Sequence, residues 1–387
     1  MTPMIYVDNA ATTPVCDHAL QAMLPYFTEH YANASGNYKV GRVNRHAIDT
    51  AREAIGRAIG TSDSRTIHFT ASGTEADNWA IKGIASALSH RGKHIITTQI
   101  EHHAVLHPCE ELEKAGYRVT YLPVDTTGAV TAQAVNQAIS DDTILISVMY
   151  ANNETGVLQP IHQIGALAKQ HGILFHTDAI QALGHVPIDV RQDNIDLLSM
   201  SAHKIYGPKG VGALYIREGV SIAPLIHGGA QERNRRAGTE NVAGIVGFGV
   251  AAEQICHQLV AEAARTKALT LRLIDGILQI PLSQLNGTGD KRLPHIVNFG
   301  FEHLQGEDLL MLLDNQGIIA ASGSACTAGS FEPSHVLTAM GVAPENASLR
   351  ISLGHHNTAE EVDKLLAVIP AAVQQLREIS PGWPGLL

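Results

Sequence analysis

The run Ile195-Asp196-Leu197-Leu198-Ser199-Met200-Ser201-Ala202-His203-Lys204-Ile205-Tyr206-Gly207-Pro208-Lys209-Gly210 decides how this chain is organised. Residues 195–199 are short and largely apolar, as a strand buried on both faces requires. Polar residues and a loop rich in Gly and Pro follow at once. A lysine at such a junction can be desolvated, which lowers its pKa and frees the amine to attack a carbonyl. Most lysines are solvated surface groups, so the position of Lys204 leaves both readings open.

Upstream of this run the same rhythm repeats. Residues 67–70, 93–98, 118–123, 143–149 and 173–178 are further short apolar runs. Between them, 76–88, 104–115, 131–139 and 161–170 carry apolar residues at helical spacing. Strand and helix in alternation imply a mostly parallel sheet with helices on both faces. Ligands of such sheets bind beyond the carboxyl ends of the strands. Downstream the rhythm changes. A long helical stretch, 242–278, leads to a strand-like run at 295–299, a helix at 309–315 and a final helix near 360–378. This predicts a second, smaller domain.

Composition narrows the function classes. The 387 residues are 45% hydrophobic and 17% charged, an ordinary globular balance. A net charge of −10 argues against a general nucleic-acid binder. The four cysteines, Cys16, Cys109, Cys256 and Cys326, are far apart and form no CxxC pair, which disfavours a disulfide framework and a structural zinc site. The most apolar window, 242–252, is too short for a bilayer, which needs about 20 residues. The N-terminal run MTPMIYVDNAATTP has no basic region followed by an apolar one, so the expected compartment is a reducing cytoplasm.

The polar residues after each strand carry the chemistry. After 67–70 comes Ala71-Ser72-Gly73-Thr74-Glu75-Ala76. Small residues there let a ligand approach, and a helix N-terminus offers N–H groups to an anion. An ordinary cap by Thr74 explains the same residues. After 93–98 stands His102, able to stack on a flat ring and move protons. After 143–149 comes Asn152-Asn153-Glu154-Thr155-Gly156, which turn chemistry alone would justify. Asp178 ends a very apolar strand, an expensive place for an acid unless it meets a cation or several donors. A protonated pyridine nitrogen would be such a cation, and helix capping is the competing use. Together these residues amount to a phosphate cradle, a stacking imidazole, a carboxylate for a ring nitrogen and an amine, which are the parts pyridoxal phosphate needs.

The chain resembles the NifS/IscS cysteine desulfurases, within the class-V aminotransferase-like branch of fold type I pyridoxal-phosphate enzymes. The similarity runs through 71–78 (ASGTEADN), 99–106 (QIEHHAVL), 152–156 (NNETG), 176–184 (HTDAIQALG), 201–210 (SAHKIYGPKG), 235–242 (RRAGTENV) and 322–329 (SGSACTAG). It implies an α/β fold with a mostly parallel central sheet flanked by helices. Residues 15–260 would form the large cofactor domain, and 1–14 with 261–387 a small α+β domain carrying a catalytic cysteine loop. By resemblance, Lys204 would bond the cofactor aldehyde, Asp178 would pair with the ring nitrogen, and Gln181 and Asn153 would lie near the ring oxygen. His102 would stack on the ring as acid/base. Gly73, Thr74, Ser201 and His203 would hold the phosphate, joined by Thr239 from a second subunit of a homodimer. Arg350 would clamp the substrate carboxylate, with Asn153 beside it. No metal is implied.

Cys326 lies in a run of small polar residues that lacks the bulk to build a core. The resemblance implies that its thiolate takes sulfur from L-cysteine, leaving alanine, and hands it to an acceptor protein for iron–sulfur assembly or for tRNA or cofactor thiolation. Three departures stand out, including a segment, 32–38, that lacks the usual proline after Asn33 and a short segment, 341–350. Tyr38 occupies a position where relatives often carry histidine, and the tail is shorter than in relatives whose tails grip a scaffold. A selenocysteine lyase, an aminotransferase and a non-catalytic sulfur-relay adaptor are the rival readings.

Overall fold

The computed structural model describes residues 4–287, 291–322 and 333–380. Cys326 and most of the surrounding small-residue run therefore lie outside the described residues. In chain order the first elements are β1 (Ile5–Tyr6), α1 (Asp17–Met23), α2 (Pro25–Thr28), α3 (Lys39–Ala58), β2 (Ile67–Thr70), α4 (Gly73–Leu88), β3 (His94–Thr98) and α5 (His103–Lys114). There follow β4 (Arg118–Leu122), α6 (Ala132–Ala138), β5 (Thr143–Ser147), α7 (Ile161–His171), β6 (Leu174–Asp178), β7 (Leu197–Ser201) and β8 (Gly212–Ile216). The remainder is α8 (Gln231–Asn234), α9 (Val242–Ile277), β9 (Ser283–Asn286), β10 (Ile296–Phe301), α10 (Gly306–Asn315), β11 (Ile318–Ile319), α11 (His335–Ala339), β12 (Ala347–Ser352) and α12 (Ala359–Ile379).

Seven strands form the central sheet in the order β2-β8-β7-β6-β5-β3-β4. Every neighbouring pair is parallel except those made by β8, which runs antiparallel to β2 and β7. Burial on both faces explains why β3, β5 and β7 read as near-continuous apolar runs. Strand β8 was not foreseen. It returns from β7 without a crossover helix, so the βαβ rhythm does not announce it. Gly212 opens β8 because a Cβ there would lie 2.6 Å from the backbone of Ser72.

Two further sheets lie outside this one. Strands β12, β10 and β9 pair antiparallel, and β1 pairs in parallel with β11. Their apolar side chains form a separate core from Ile5, Val7, Leu273, Phe299, Leu349 and Leu365 among others. Helix α9 serves both cores: Phe248 and Ile255 belong to that of the large sheet, while Leu273 and Ile277 belong to the second. A boundary at 260/261 falls inside this helix.

Candidate active site

A cavity of about 330 Å³ opens at the carboxyl ends of the parallel strands. A larger one, about 620 Å³, lies at the opposite edge among Leu174, Asp196 and Arg217. There Arg217 Nε donates to Asp196 Oδ1 at 2.5 Å. The smaller cavity holds the chemistry. Gly73, Thr74, His102, Asn153, Asp178, Gln181, Ser201, His203, Lys204 and Arg350 all line it. Thr239 does not. It is exposed and borders a separate cavity of about 200 Å³ beside Thr70 and Arg236.

Lys204 closes a single 3-10 turn directly after β7. Its Nζ donates to the carbonyl oxygens of Ala10, at 2.5 Å, and Ala11, at 2.8 Å. The following Tyr206 holds the left-handed φ of 66°, unfavourable for a side chain with a Cβ. Its amide donates to Thr13 Oγ1 at 2.8 Å, and its hydroxyl accepts from the His355 amide at 2.8 Å. The N-terminal segment thus clamps the turn that carries the amine.

Asp178 ends β6 and is only 6% exposed. Its Oδ1 accepts from the Ile180 amide at 2.9 Å and closes a turn; no helix stands between β6 and β7, so the competing use as a helix cap does not hold. Burial raises its pKa to about 6, against the pull of that bond and of Lys204. Asp77 of α4, fully buried, is pushed well above the ordinary carboxylate range by burial and by the charge of Asp178. Gln181 donates through Nε2 to Ala10 O at 2.9 Å.

His102 is the N-cap of α5, and its Nδ1 accepts from the Ala104 amide at 3.1 Å. Burial, with Lys204 nearby, depresses its pKa to about 4. The ring is neutral at pH 7, and with Nδ1 accepting, the proton sits on Nε2. His203 is likewise held at about 4 by burial, and its Nδ1 lies 3.1 Å from Thr12 Oγ1.

Helix α4 begins at Gly73, earlier than its apolar periodicity suggests, and its cap is Ser72 rather than Thr74: Ser72 Oγ accepts from Glu75 N at 3.1 Å. The amides of the first turn have no intrahelical acceptor and face the cavity end of the sheet. Arg350, on β12, reaches in from the second core. It donates to Asp8 Oδ1 at 2.7 Å and to Asn153 O at 2.9 Å, while its buried Nε has no hydrogen-bond partner among the described residues. Asp8 was quoted in the sequence but given no role. Only its place after a two-residue strand hints at one.

The three cysteines among the described residues are free. Cys109 is buried, with its thiol pushed up to about 12. Burial also raises Cys256. Neither environment favours a thiolate. Among the described residues no group of three or more metal-ligating side chains is placed to hold a metal.

The family model for class-V aminotransferases matches residues 5–365. A relative named cysteine desulfurase IscS, from Methanosarcina thermophila, is 56% identical over 382 residues, covering 98% of this chain and 94% of its own. A solved NifS-like protein superposes with a TM-score of 0.91 at 37% identity, covering 97% of this chain and all of that one. A structure described as SspA in complex with cysteine has a TM-score of 0.81 at 38% identity, covering 92% of this chain and 100% of that one. On this agreement of sequence, fold and cavity, the chain belongs to the class-V aminotransferases and, within them, to the IscS/NifS cysteine desulfurases.

Proposed function

We propose that this protein uses pyridoxal 5'-phosphate to move sulfur from L-cysteine to Cys326, releasing L-alanine. The observation that carries the proposal is the convergence of Lys204, Asp178, His102 and Arg350 on one cavity at the ligand edge of the sheet. The donor set suits the cofactor. A Cβ at Gly73 would lie 2.2 Å from Ile180 Cδ1 and 3.3 Å from Ser201 Cβ, so glycine lets the start of α4 sit close against the cavity wall. The buried Nε of Arg350, unpartnered among the described residues, suits a carboxylate.

When bound, pyridoxal phosphate supplies an aldehyde for amines and a ring that draws electrons from the substrate carbon. Gly73, Thr74, Ser201 and His203 hold its phosphate in this reading, and Asp178 keeps a proton on the ring nitrogen. Gln181 and Asn153 flank the ring oxygen. Lys204 Nζ would hold the aldehyde end of the cofactor and would move the proton at substrate Cα. His102 stacks on the ring and manages protons through Nε2, while Arg350 and Asn153 hold the substrate carboxylate end. The Cys326 thiolate then bonds to the substrate sulfur as the Cβ–S bond breaks. Cβ ends as a methyl group, the sulfur ends as a persulfide on Cys326, and no external oxidant is needed. The persulfide passes to an acceptor protein, for iron–sulfur assembly or for tRNA or cofactor thiolation.

The protein acts as a homodimer in this proposal. Phe27, Tyr31 and Tyr38 are 60%, 79% and 53% exposed within the first three helices and their linkers, an aromatic surface that a second copy would cover. In this proposal Thr239, which is exposed and lies outside the cavity of its own subunit, serves the partner's phosphate. We assign the protein to the cytoplasm, where a reducing environment keeps its thiols free; no described helix is long and apolar enough to cross a membrane.

The test is to record the visible spectrum of the purified protein, add L-cysteine with a reductant, and quantify alanine and sulfide together. Equal amounts are expected, and Cys326→Ser should bind cysteine yet release no sulfide. Sulfide release by that variant at the parental rate would remove Cys326 from the reaction.

A further inference from the structure

Arg350 is 2% exposed, and a guanidinium buried to that extent is costly unless a carboxylate meets it. Among the described residues, the carboxylate within ion-pair distance is that of Asp8, whose Oδ1 accepts from Nη2 at 2.7 Å. Other acids nearby are engaged elsewhere: Glu154 accepts from Ser334 Oγ at 2.6 Å, and Asp178 from the Ile180 amide. Arg350 Nη1 donates to Asn153 O at 2.9 Å. A guanidinium carries its N–H donors in one plane. Bonds on two different nitrogens fix that plane, and they leave Nε–H and one N–H on each Nη for a ligand.

Asp8 is itself firmly placed. Its backbone bridges Ser352, just beyond Arg350 on β12, and Ser352 N donates to Val7 O at 2.7 Å. Residues 350 and 352 share one face of that strand, where Ser352 Oγ accepts from the Ala10 amide at 2.8 Å. The Tyr6 hydroxyl donates to Asp8 O at 3.0 Å. The same short segment then meets the amine, since Lys204 Nζ donates to the carbonyls of Ala10 and Ala11. Ala10 and Ala11 line the cavity with Lys204 and Arg350, whereas Asp8 stands behind its wall. Residues 8–11 therefore tie together the two groups between which an α-amino acid would lie, its amine at Lys204 and its carboxylate at Arg350.

We propose that Asp8 is a positioning residue for substrate recognition: it fixes the plane of Arg350 on the strap that also holds Lys204, and so sets where the α-carboxylate docks relative to the α-amine. Asp8 touches neither substrate nor cofactor. The proposal rests on the reading of Arg350 as the carboxylate clamp. A carboxylate that loses one of two charge-assisted bonds loses roughly tenfold or more in affinity, which sets the expected size of the effect.

The experiment uses the full-length, cofactor-loaded protein. The cofactor absorption is followed during titration with L-alanine, which carries the α-carboxylate, and with ethylamine, which lacks it. Asp8→Ala and Asp8→Glu should weaken L-alanine by about tenfold or more, and ethylamine by less than about twofold. The Glu variant keeps the charge but displaces the oxygen by a methylene. Asp8→Asn keeps an oxygen in place to accept from Nη2, and should stay within about threefold of the parent for both ligands. The Glu and Asn variants are predicted to diverge, so a fold lost in Asp8→Ala leaves the test intact. Parental L-alanine affinity in Asp8→Ala, or an equal loss for both ligands, would overturn the assignment. So would parental affinity in Asp8→Glu beside weakened binding in Asp8→Asn, which would mean that charge alone matters. Parental L-alanine affinity in Arg350→Leu would instead overturn the clamp reading on which the proposal rests.

Discussion

At the residue scale, Asp178 shows how much meaning one acid at a strand end can carry. Its carboxyl, raised to about 6 by burial, is ionised at pH 7.5 and largely protonated at pH 5.5. Only the ionised form pairs with a protonated ring nitrogen. Pyridoxal phosphate titrated into the cofactor-free protein should therefore bind more weakly at pH 5.5 than at pH 7.5. Asp178→Asn should bind weakly at both, with turnover reduced about a hundredfold, the equivalent of one charge-assisted hydrogen bond of about 2–3 kcal/mol. Equal affinity for the parent at both pH values would count against Asp178 as the ring partner. Lys204, His102 and Asp178 were legible because each is a polar residue stranded at the end of an apolar run. Asp8 and Glu154 were not, because each gains its partner from a residue some 180 or more positions away: Asp8 from Arg350 and Glu154 from Ser334.

At the scale of elements, the helices and strands differ in how openly the sequence declares them. The parallel strands are buried on both faces and stand out as apolar runs, whereas α3 is a long, polar helix whose apolar stripe, through Ile48, Ala51 and Ile55, is narrow. The start of α4 was misplaced because Ser72 caps it before any apolar residue appears. Helix α12 is the clearest case of local encoding. Thr358 accepts from the Glu361 amide at 3.2 Å, and the Glu361 carboxylate accepts from the Thr358 amide at 3.2 Å, a reciprocal capping box. Thr358→Ala should cost about 1 kcal/mol in urea unfolding, with the cofactor spectrum unchanged because α12 lies outside the cavity. A loss below about 0.3 kcal/mol would show that packing of Leu365 and Ile369 alone fixes this helix.

For the whole molecule, the balance of buried ionisable groups governs acid tolerance. His68, His94, His102, His176, His185 and His203 are all held at about 3 to about 4, mainly by burial, and so are neutral in the folded protein. The unfolded chain binds protons at these sites below about pH 6.5, so each one subtracts stability as pH falls through that value, by up to about 1.4 kcal/mol per pH unit. The raised acids Glu101, at about 8, and Asp178 act in the opposite sense, since the folded state holds their protons. The imidazoles outnumber them, so the urea midpoint should drop between pH 6.5 and pH 5; a rise over that interval would show that the acids dominate. One feature of the architecture bears on how the molecule is made. The carbonyls of Ala10 and Ala11 hold Lys204, Asp8 holds Arg350, and β1 pairs with β11, so residues 5–11 are fastened by residues synthesised long after them. At about 5–20 residues per second, the partners of Asp8 and Ile5 are synthesised on the order of tens of seconds after them. Ile5 and Val7 must wait through that interval without the partners that bury them. The site around Lys204 is finished only after Arg350 has been made.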